Sequence, residues 1–362
     1  MKKNDRKGIS TALVLLIVAA IAMAGVVVYL NYKPAEQVTP VSISAGGASF
    51  PYPLMTKWIA EYNKLNPNIQ ITYQSVGSGA GKNNLVSKIF DFAGSDATLS
   101  NAEMANYTIL QIPETVGGVV LAYNLPGLNQ SGLMLTADII ASIFQGNITK
   151  WNDQSIASIN PSVALPDADI VTIHRSDSSG TTSVFTTYLT NASTVWLLGK
   201  GTNVAWTNGL AGAQNSGVAS ILVQTPYSIG YLEYFYAKNN SIPYAFIQNR
   251  GGQFVEPSLQ TISNAANAGA TLLAQDIRTP IVNLAGDNVY PISAFTYYFV
   301  WKDLFYMDKA KARAVVEFMW WTIHDGQQYS EGLLYPRLPS SVVLLDEAML
   351  RNITYSGLPL LL

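Results

Sequence analysis

The sequence predicts an α/β fold of two lobes joined by two crossovers. Strand, small-residue turn and helix follow one another twice between residues 41 and 96, the cadence of a sheet with helices on its faces. Two strongly apolar strands, 116–123 and 290–301, stand far apart in the chain and read as an outward and a return crossover. The length, 362 residues, suits about two domains or one large bilobal unit.

Taken in order, residues 41–44 alternate like a short strand and run into Gly46, Gly47, Ala48, Ser49 and Phe50. Residues 51–65 read as a helix with Leu54, Trp58, Ile59 and Tyr62 on one face. Pro51 and Pro53 suit its first turn, where no N–H partner is lost. Residues 69–76 alternate as a second strand and end in Gly77, Ser78, Gly79, Ala80 and Gly81, ahead of a helical run with Leu85, Val86 and Ile89. Residues 90–96 read as a buried strand ending in the Asp96 carboxylate. Past the first crossover come a helix at 137–144, a turn at 146–151 and a strand at 169–174. The stretch 228–237 is apolar and aromatic, and 309–324 and 339–352 read as closing helices. Residues 41–116 and 290–362 are expected to form lobe I, and 117–289 lobe II.

The strand at 169–174 delivers the most informative stretch: Arg175, Ser176, Asp177, Ser178, Ser179, Gly180, Thr181 and Thr182, just ahead of an apolar-periodic run with Val184, Phe185, Tyr188 and Leu189. That is the layout of a helix start able to hold an anion. Unpaired N–H groups and the positive dipole end point at the ligand. Arginine adds a planar, permanently charged fork. Three turns share this chemistry, around Ser49, around Ser78 and at 178–181; each follows a strand and opens a helix. If they converge, one tetrahedral oxyanion could be held from three helix starts.

Composition limits the rest. The chain is 49% hydrophobic and 12% charged, which favours a large buried core over disorder. A net charge of −2 makes no field for nucleic acid or an anionic membrane, so an anion site must be local. The absence of cysteine excludes disulfides, thiolate metal sites and cysteine nucleophiles. His174 and His324 are the only histidines, too few for a zinc site of several imidazoles, and neither metal nor cofactor is expected.

At the N-terminus Lys2, Lys3, Arg6 and Lys7 precede an uncharged run from Ile9 to Leu30, long enough to span a bilayer. A retained anchor with its basic end in the cytoplasm is expected over a removed secretory signal. Residues 7–11 also resemble the processing site of archaeal pilin-like signal peptides, cleaved after Gly8. Residues 31–40 read as a linker, so 1–40 form a signal or anchor segment and the body lies outside the cytoplasm. Six glycosylation sequons, at Asn106, Asn129, Asn147, Asn191, Asn239 and Asn352, fit such a surface.

Four segments carry a wider likeness: 47–53 (Gly-Ala-Ser-Phe-Pro-Tyr-Pro), 77–81, 91–96 and 175–182. With 147–151, 228–231 and 338–342, they resemble in order the signature segments of the phosphate-binding proteins of high-affinity phosphate ABC transporters. The likeness covers nearly the whole body. It implies a two-lobed periplasmic-binding-protein fold of type II, with the ligand cleft between the lobes. It implies that phosphate is held by the Ser49 hydroxyl, the Phe50 N–H, Ser78, Arg175, Ser179, Gly180 and Thr181. Asp96 would accept a hydrogen bond from a protonated phosphate oxygen, which favours phosphate over unprotonated sulfate. Asp177 would brace Arg175. The partners implied are inorganic phosphate and membrane permease subunits, with the binding protein itself a monomer. Asp96, buried beside a dianion, is expected to be fixed by backbone donors.

Three other readings stay open at this point. One is a binding protein for sulfate, molybdate or tungstate. A second is a surface protein of pilin type, suggested by the N-terminus alone. The third is a hydrolase using His174, Asp177 and Ser178 or Ser179. These last residues crowd onto one strand-to-helix turn, and the chain has no Gly-X-Ser-X-Gly elbow, so an enzyme is not expected.

Overall fold

A computed structural model describes residues 10–31 and 40–361, without the side chains of 27–31. The chain divides into two compact units, Met1–Pro40 and Val41–Leu362. In the first, Thr11–Asn31 forms a helix (α1) rich in leucine, valine, isoleucine and alanine. Among the described residues no helix is long and apolar enough to cross a membrane. The expected anchor begins at Ile9 and ends at Leu30, so part of it lies outside those residues.

The second unit begins with Val41–Gly47 (β1), Tyr52–Leu65 (α2), Ile69–Ser75 (β2), Ser78–Val86 (α3), Phe92–Ser95 (β3) and Asn101–Asn106 (α4). β1 pairs parallel with both β2 and β3, so their carboxyl ends share one edge. α2 buries Leu54, Met55, Trp58 and Tyr62 against the sheet, with Pro51 as its cap. Ile89, expected on the α3 face, is exposed: the helix ends at Val86 and Lys88 turns left-handed at φ 58°.

Ile109–Asn124 (β4), a strand of 16 residues, follows. Next come Met134–Leu135 (β5), Ala137–Phe144 (α5), Gln154–Ile159 (α6), Val171–Arg175 (β6), Gly180–Ala192 (α7), Leu210–Gly212 (β7) and Gln214–Gln224 (α8). Ser228–Glu233 (β8) passes directly into Tyr234–Asn239 (α9), so the aromatic stretch is strand first and helix second. Phe246–Gln248 (β9) and Phe254–Val255 (β10) join β5 in a small sheet, and Leu259–Gln275 (α10) follows. Ser293–Trp301 (β11), Lys309–Ile323 (α11), Ser340–Arg351 (α12) and the hairpin Thr354–Tyr355 (β12) and Leu358–Pro359 (β13) complete the unit.

The main sheet has the order β2-β1-β3-β11-β4-β8-β6-β7. β4 is its spine. Ile109 to Gly118 pair antiparallel with β11, and Val119 to Asn124 pair antiparallel with β8. The strand is thus longer than the expected crossover and changes partner between Gly118 and Val119. It is buried on both faces from Val116 to Tyr123, which is why it reads as one apolar run without alternation. β6 lies parallel to β7 and β8, so a second set of carboxyl ends is formed. Ligands of open α/β sheets gather at such ends.

Candidate functional site

Five turns that leave parallel strands meet at one place. They carry Ser49 after β1, Ser78 after β2, Asp96 after β3, Arg175 to Thr181 after β6, and Asn215 after β7. Ser49, Ser78, Asp96, Arg175, Ser179, Thr181 and Asn215 are each no more than 6% exposed. Gly47 makes the first approach possible: its φ is +147°, and a Cβ there would strike the Gly94 carbonyl of β3.

Arg175 is the fixed charge. Its Nε donates to Asp177 Oδ1 at 2.8 Å and a terminal nitrogen donates to Oδ2 at 2.5 Å. The other terminal nitrogen donates to Thr181 Oγ1 at 3.1 Å. Asp177 Oδ1 also accepts the Gln214 N–H at 3.0 Å. Burial pushes the Asp177 carboxyl up, but its bonds to Arg175 and the arginine charge outweigh this and hold it below the ordinary value. The expected brace is therefore in place, and the pair brings little net charge.

The hydroxyls show a common polarity. A hydroxyl has one hydrogen and two acceptor positions. Ser49 Oγ accepts both the Asn215 N–H at 3.1 Å and the Asn215 Nδ2 at 2.9 Å. Ser78 Oγ accepts the Gly180 N–H at 3.2 Å and the Asp96 N–H at 3.3 Å. Thr181 Oγ1 accepts from Arg175 and from Asn215 Nδ2 at 3.3 Å, and its own hydrogen faces Asp96 Oδ2 at a long 3.4 Å. Among the described residues the hydrogens of Ser49 and Ser78 have no acceptor. Ser179 has another role: it caps α7 by accepting the Thr182 N–H at 3.1 Å.

Asp96 leaves an acceptor open beside these hydroxyls. Its Oδ1 is buried without a partner. Burial pushes its pKa up to about 7, against the pull of the Arg175 charge and the Thr181 hydroxyl. This corrects the expectation of backbone donors. The nearby N–H groups are spent on other atoms, Asp96 N–H on Ser78 Oγ and Ala97 N–H on Ser95 Oγ. Cavities of about 410 and 210 Å³ open outward from Asp96 and from Ser78, and Ser183 and Gly201 line both.

Two tyrosines hold the first turn from behind. The Tyr236 hydroxyl donates to the Ser49 carbonyl and the Tyr335 hydroxyl to the Phe50 carbonyl, each at 2.7 Å. The Phe50 ring lies over Gly117 of β4, where a Cβ would meet the ring at 2.5 Å. Sequence reasoning named Ser49, Phe50, Ser78, Asp96, Arg175, Asp177, Ser179, Gly180 and Thr181, and all fall in this cluster. It missed Asn215, Tyr236 and Tyr335. Asn215 had a signal, a fourth small-polar turn (Ala213, Gln214, Asn215, Ser216, Gly217), but β7 before it is too short for periodicity. The tyrosines come from distant segments and had none.

The hydrolase residues do not form a triad. His174 Nδ1 contacts the Arg175 carbonyl at 3.0 Å and its ring stacks on Trp206. Ser178 Oγ donates to Thr202 Oγ1 at 3.0 Å. Among the described residues no group of three His, Asp or Glu could hold a metal ion.

The PBP superfamily domain matches residues 34–323. The chain is 40% identical over 316 residues to the phosphate-binding protein PstS of Xylella fastidiosa (strain 9a5c), covering 87% of this chain and 86% of that one. The chain belongs to the PstS family. A second PstS relative, from Methanocaldococcus jannaschii, is 36% identical over 338 residues, with 86% of this chain and 87% of that one covered. A solved phosphate-binding protein from Stenotrophomonas maltophilia superposes with a TM-score of 0.65 at 19% identity, over 85% of this chain and 93% of that one. The type II periplasmic-binding-protein fold expected of a PstS chain is the fold found.

Proposed function

We propose that this protein captures inorganic phosphate outside the cytoplasm and delivers it to an ABC permease. The reading rests on the polarity of the cluster: hydroxyls whose acceptor positions are filled, a braced arginine, and one open carboxylate oxygen on Asp96. Such a site offers several donors and one acceptor. Hydrogen phosphate matches it, with three bare oxygens and one hydroxyl. Sulfate has no hydrogen to give to Asp96.

The ligand contacts are Ser49, the Phe50 N–H, Ser78 and Asp96 from lobe I, and Arg175, Ser179, Gly180 and Thr181 from lobe II. Lobe I is 41–116 with 290–362, and lobe II is 117–289; the partner change in β4 supports a boundary there. Contacts from both lobes favour the closed state, because only that state makes them all. The run from Ile9 to Leu30 holds the body at the membrane, a reading that rests on its length and lack of charge.

Calorimetric titration of purified protein at pH 8 tests the function. Phosphate binds and sulfate binds at least about a hundredfold more weakly, the scale of a charge left facing an unprotonated oxygen. Equal affinity for sulfate favours the wider oxyanion reading, and silence with phosphate sinks the proposal. Membrane fractionation with and without residues 9–30 tests the anchor.

A further inference from the structure

We infer that Asn215 is a positioning residue of the site: its amide makes the Ser49 and Thr181 hydroxyls obligate donors, Ser49 toward the anion and Thr181 toward Asp96 Oδ2 or the anion. The inference rests on the phosphate reading above.

Asn215 is fully buried at the start of α8, and every polar atom of its side chain is engaged. Its Oδ1 accepts the Glu233 N–H at 3.0 Å. A backbone N–H can only donate, so the oxygen must lie on that side and the NH₂ on the other. Nδ2 then spends one hydrogen on Ser49 Oγ at 2.9 Å and one on Thr181 Oγ1 at 3.3 Å. Each hydroxyl already receives a second donor, the Asn215 N–H for Ser49 and Arg175 for Thr181. With both acceptor positions filled, each hydroxyl can only give its hydrogen away. Orientation is thus set before the ligand arrives.

The contact also reaches between strand ends. Ser49 follows β1, Thr181 follows β6, and Asn215 follows β7. One amide therefore couples the first turn to the arginine turn.

Replacing the amide by a carboxylate reverses the polarity. In Asn215→Asp the new oxygen can only accept, and the two hydroxyls turn toward it and away from phosphate. At lower pH a protonated carboxyl regains one donor hydrogen. Phosphate titrations of wild type and Asn215→Asp between pH 5.5 and 8 should show a deficit of at least about a hundredfold at pH 8. That deficit shrinks as pH falls. A deficit equal at every pH, or below about threefold throughout, overturns the inference.

If the buried acid prevents folding, a mutant cycle decides. Asn215→Ala weakens phosphate binding at least about tenfold in wild type, but about threefold or less in a Ser49→Ala, Thr181→Ala background. Equal factors in both backgrounds mean that Asn215 does not act through the hydroxyls. A wild type that takes up no phosphate overturns the function, and this inference with it; wild-type binding with additive variants overturns the inference alone.

Discussion

The Tyr236 hydroxyl stands 2.7 Å from the Ser49 carbonyl, although 187 residues separate them. Tyr335 makes the same contact to Phe50, and its hydroxyl also lies 3.2 Å from Glu233 Oε2. The turn that presents the Ser49 hydroxyl and the Phe50 N–H is therefore held by groups from two other parts of the fold.

Removing the Tyr335 hydroxyl takes the donor from the buried Phe50 carbonyl, which costs about 1–3 kcal/mol, whereas without the Tyr236 hydroxyl the Ser49 carbonyl keeps the Tyr52 N–H at 3.4 Å. Tyr335→Phe is expected to lower the unfolding free energy by that amount, read as a lower denaturant midpoint. Tyr236→Phe should weaken phosphate binding, because it takes the closer donor from the Ser49 carbonyl. Unfolding curves and calorimetry on both variants check this, and an unchanged midpoint for Tyr335→Phe contradicts it.

Gly180 is expected to tolerate no side chain in the closed form. A Cβ there would press on the Ser78 hydroxyl and lie 2.5 Å from Asp96 Oδ2. Gly180→Ala should fold, since alanine suits a first helical turn, but phosphate should no longer compact it. Small-angle scattering with and without millimolar phosphate reads this directly. Compaction equal to wild type would show that the turn can yield.

Arg175→Lys should behave as a loss, not a conservative change. An ammonium cannot keep both Asp177 oxygens and Thr181 at once. Phosphate affinity is expected to fall at least about a hundredfold, in line with a lost charged hydrogen bond. Retention of affinity within about tenfold would mean that charge alone suffices.

Two buried carboxyls, Asp96 of the site and Glu114 of β4, set a pH dependence with a definite sign. Burial pushes Asp96 up to about 7 and Glu114 up to about 8, whereas unfolded carboxyls titrate near 4. Between roughly pH 4 and 8 the ligand-free native chain thus holds more protons than the unfolded one, and stability falls as pH rises. Melting midpoints without ligand should drop across that window, and Asp96→Asn should flatten the drop. The same titration governs selectivity. Below about pH 7 a protonated Asp96 can donate to sulfate, so discrimination against sulfate should grow as pH rises. A midpoint that rises with pH, or a selectivity that does not change, would contradict this.

The chain by itself determined the elements and the turn chemistry. The repeated strand, small turn and helix, and the capped start before Val184, depend on local spacing and on which residues accept tight turns. α5 and the closing helices α11 and α12 were legible for the same reason. Their apolar faces repeat within a few residues of one another. What tertiary structure alone decided was polarity and support. Whether the Ser49 hydroxyl donates or accepts depends on Asn215, placed after a three-residue strand. Whether the Phe50 carbonyl is held depends on Tyr335, 285 residues away. Asp96 was expected to be tied by nearby N–H groups, yet packing gave those groups to Ser78 and Ser95 and left Oδ1 open. A hydrogen bond's direction depends on every neighbour of both atoms, and the neighbours of a buried site come from all along the chain.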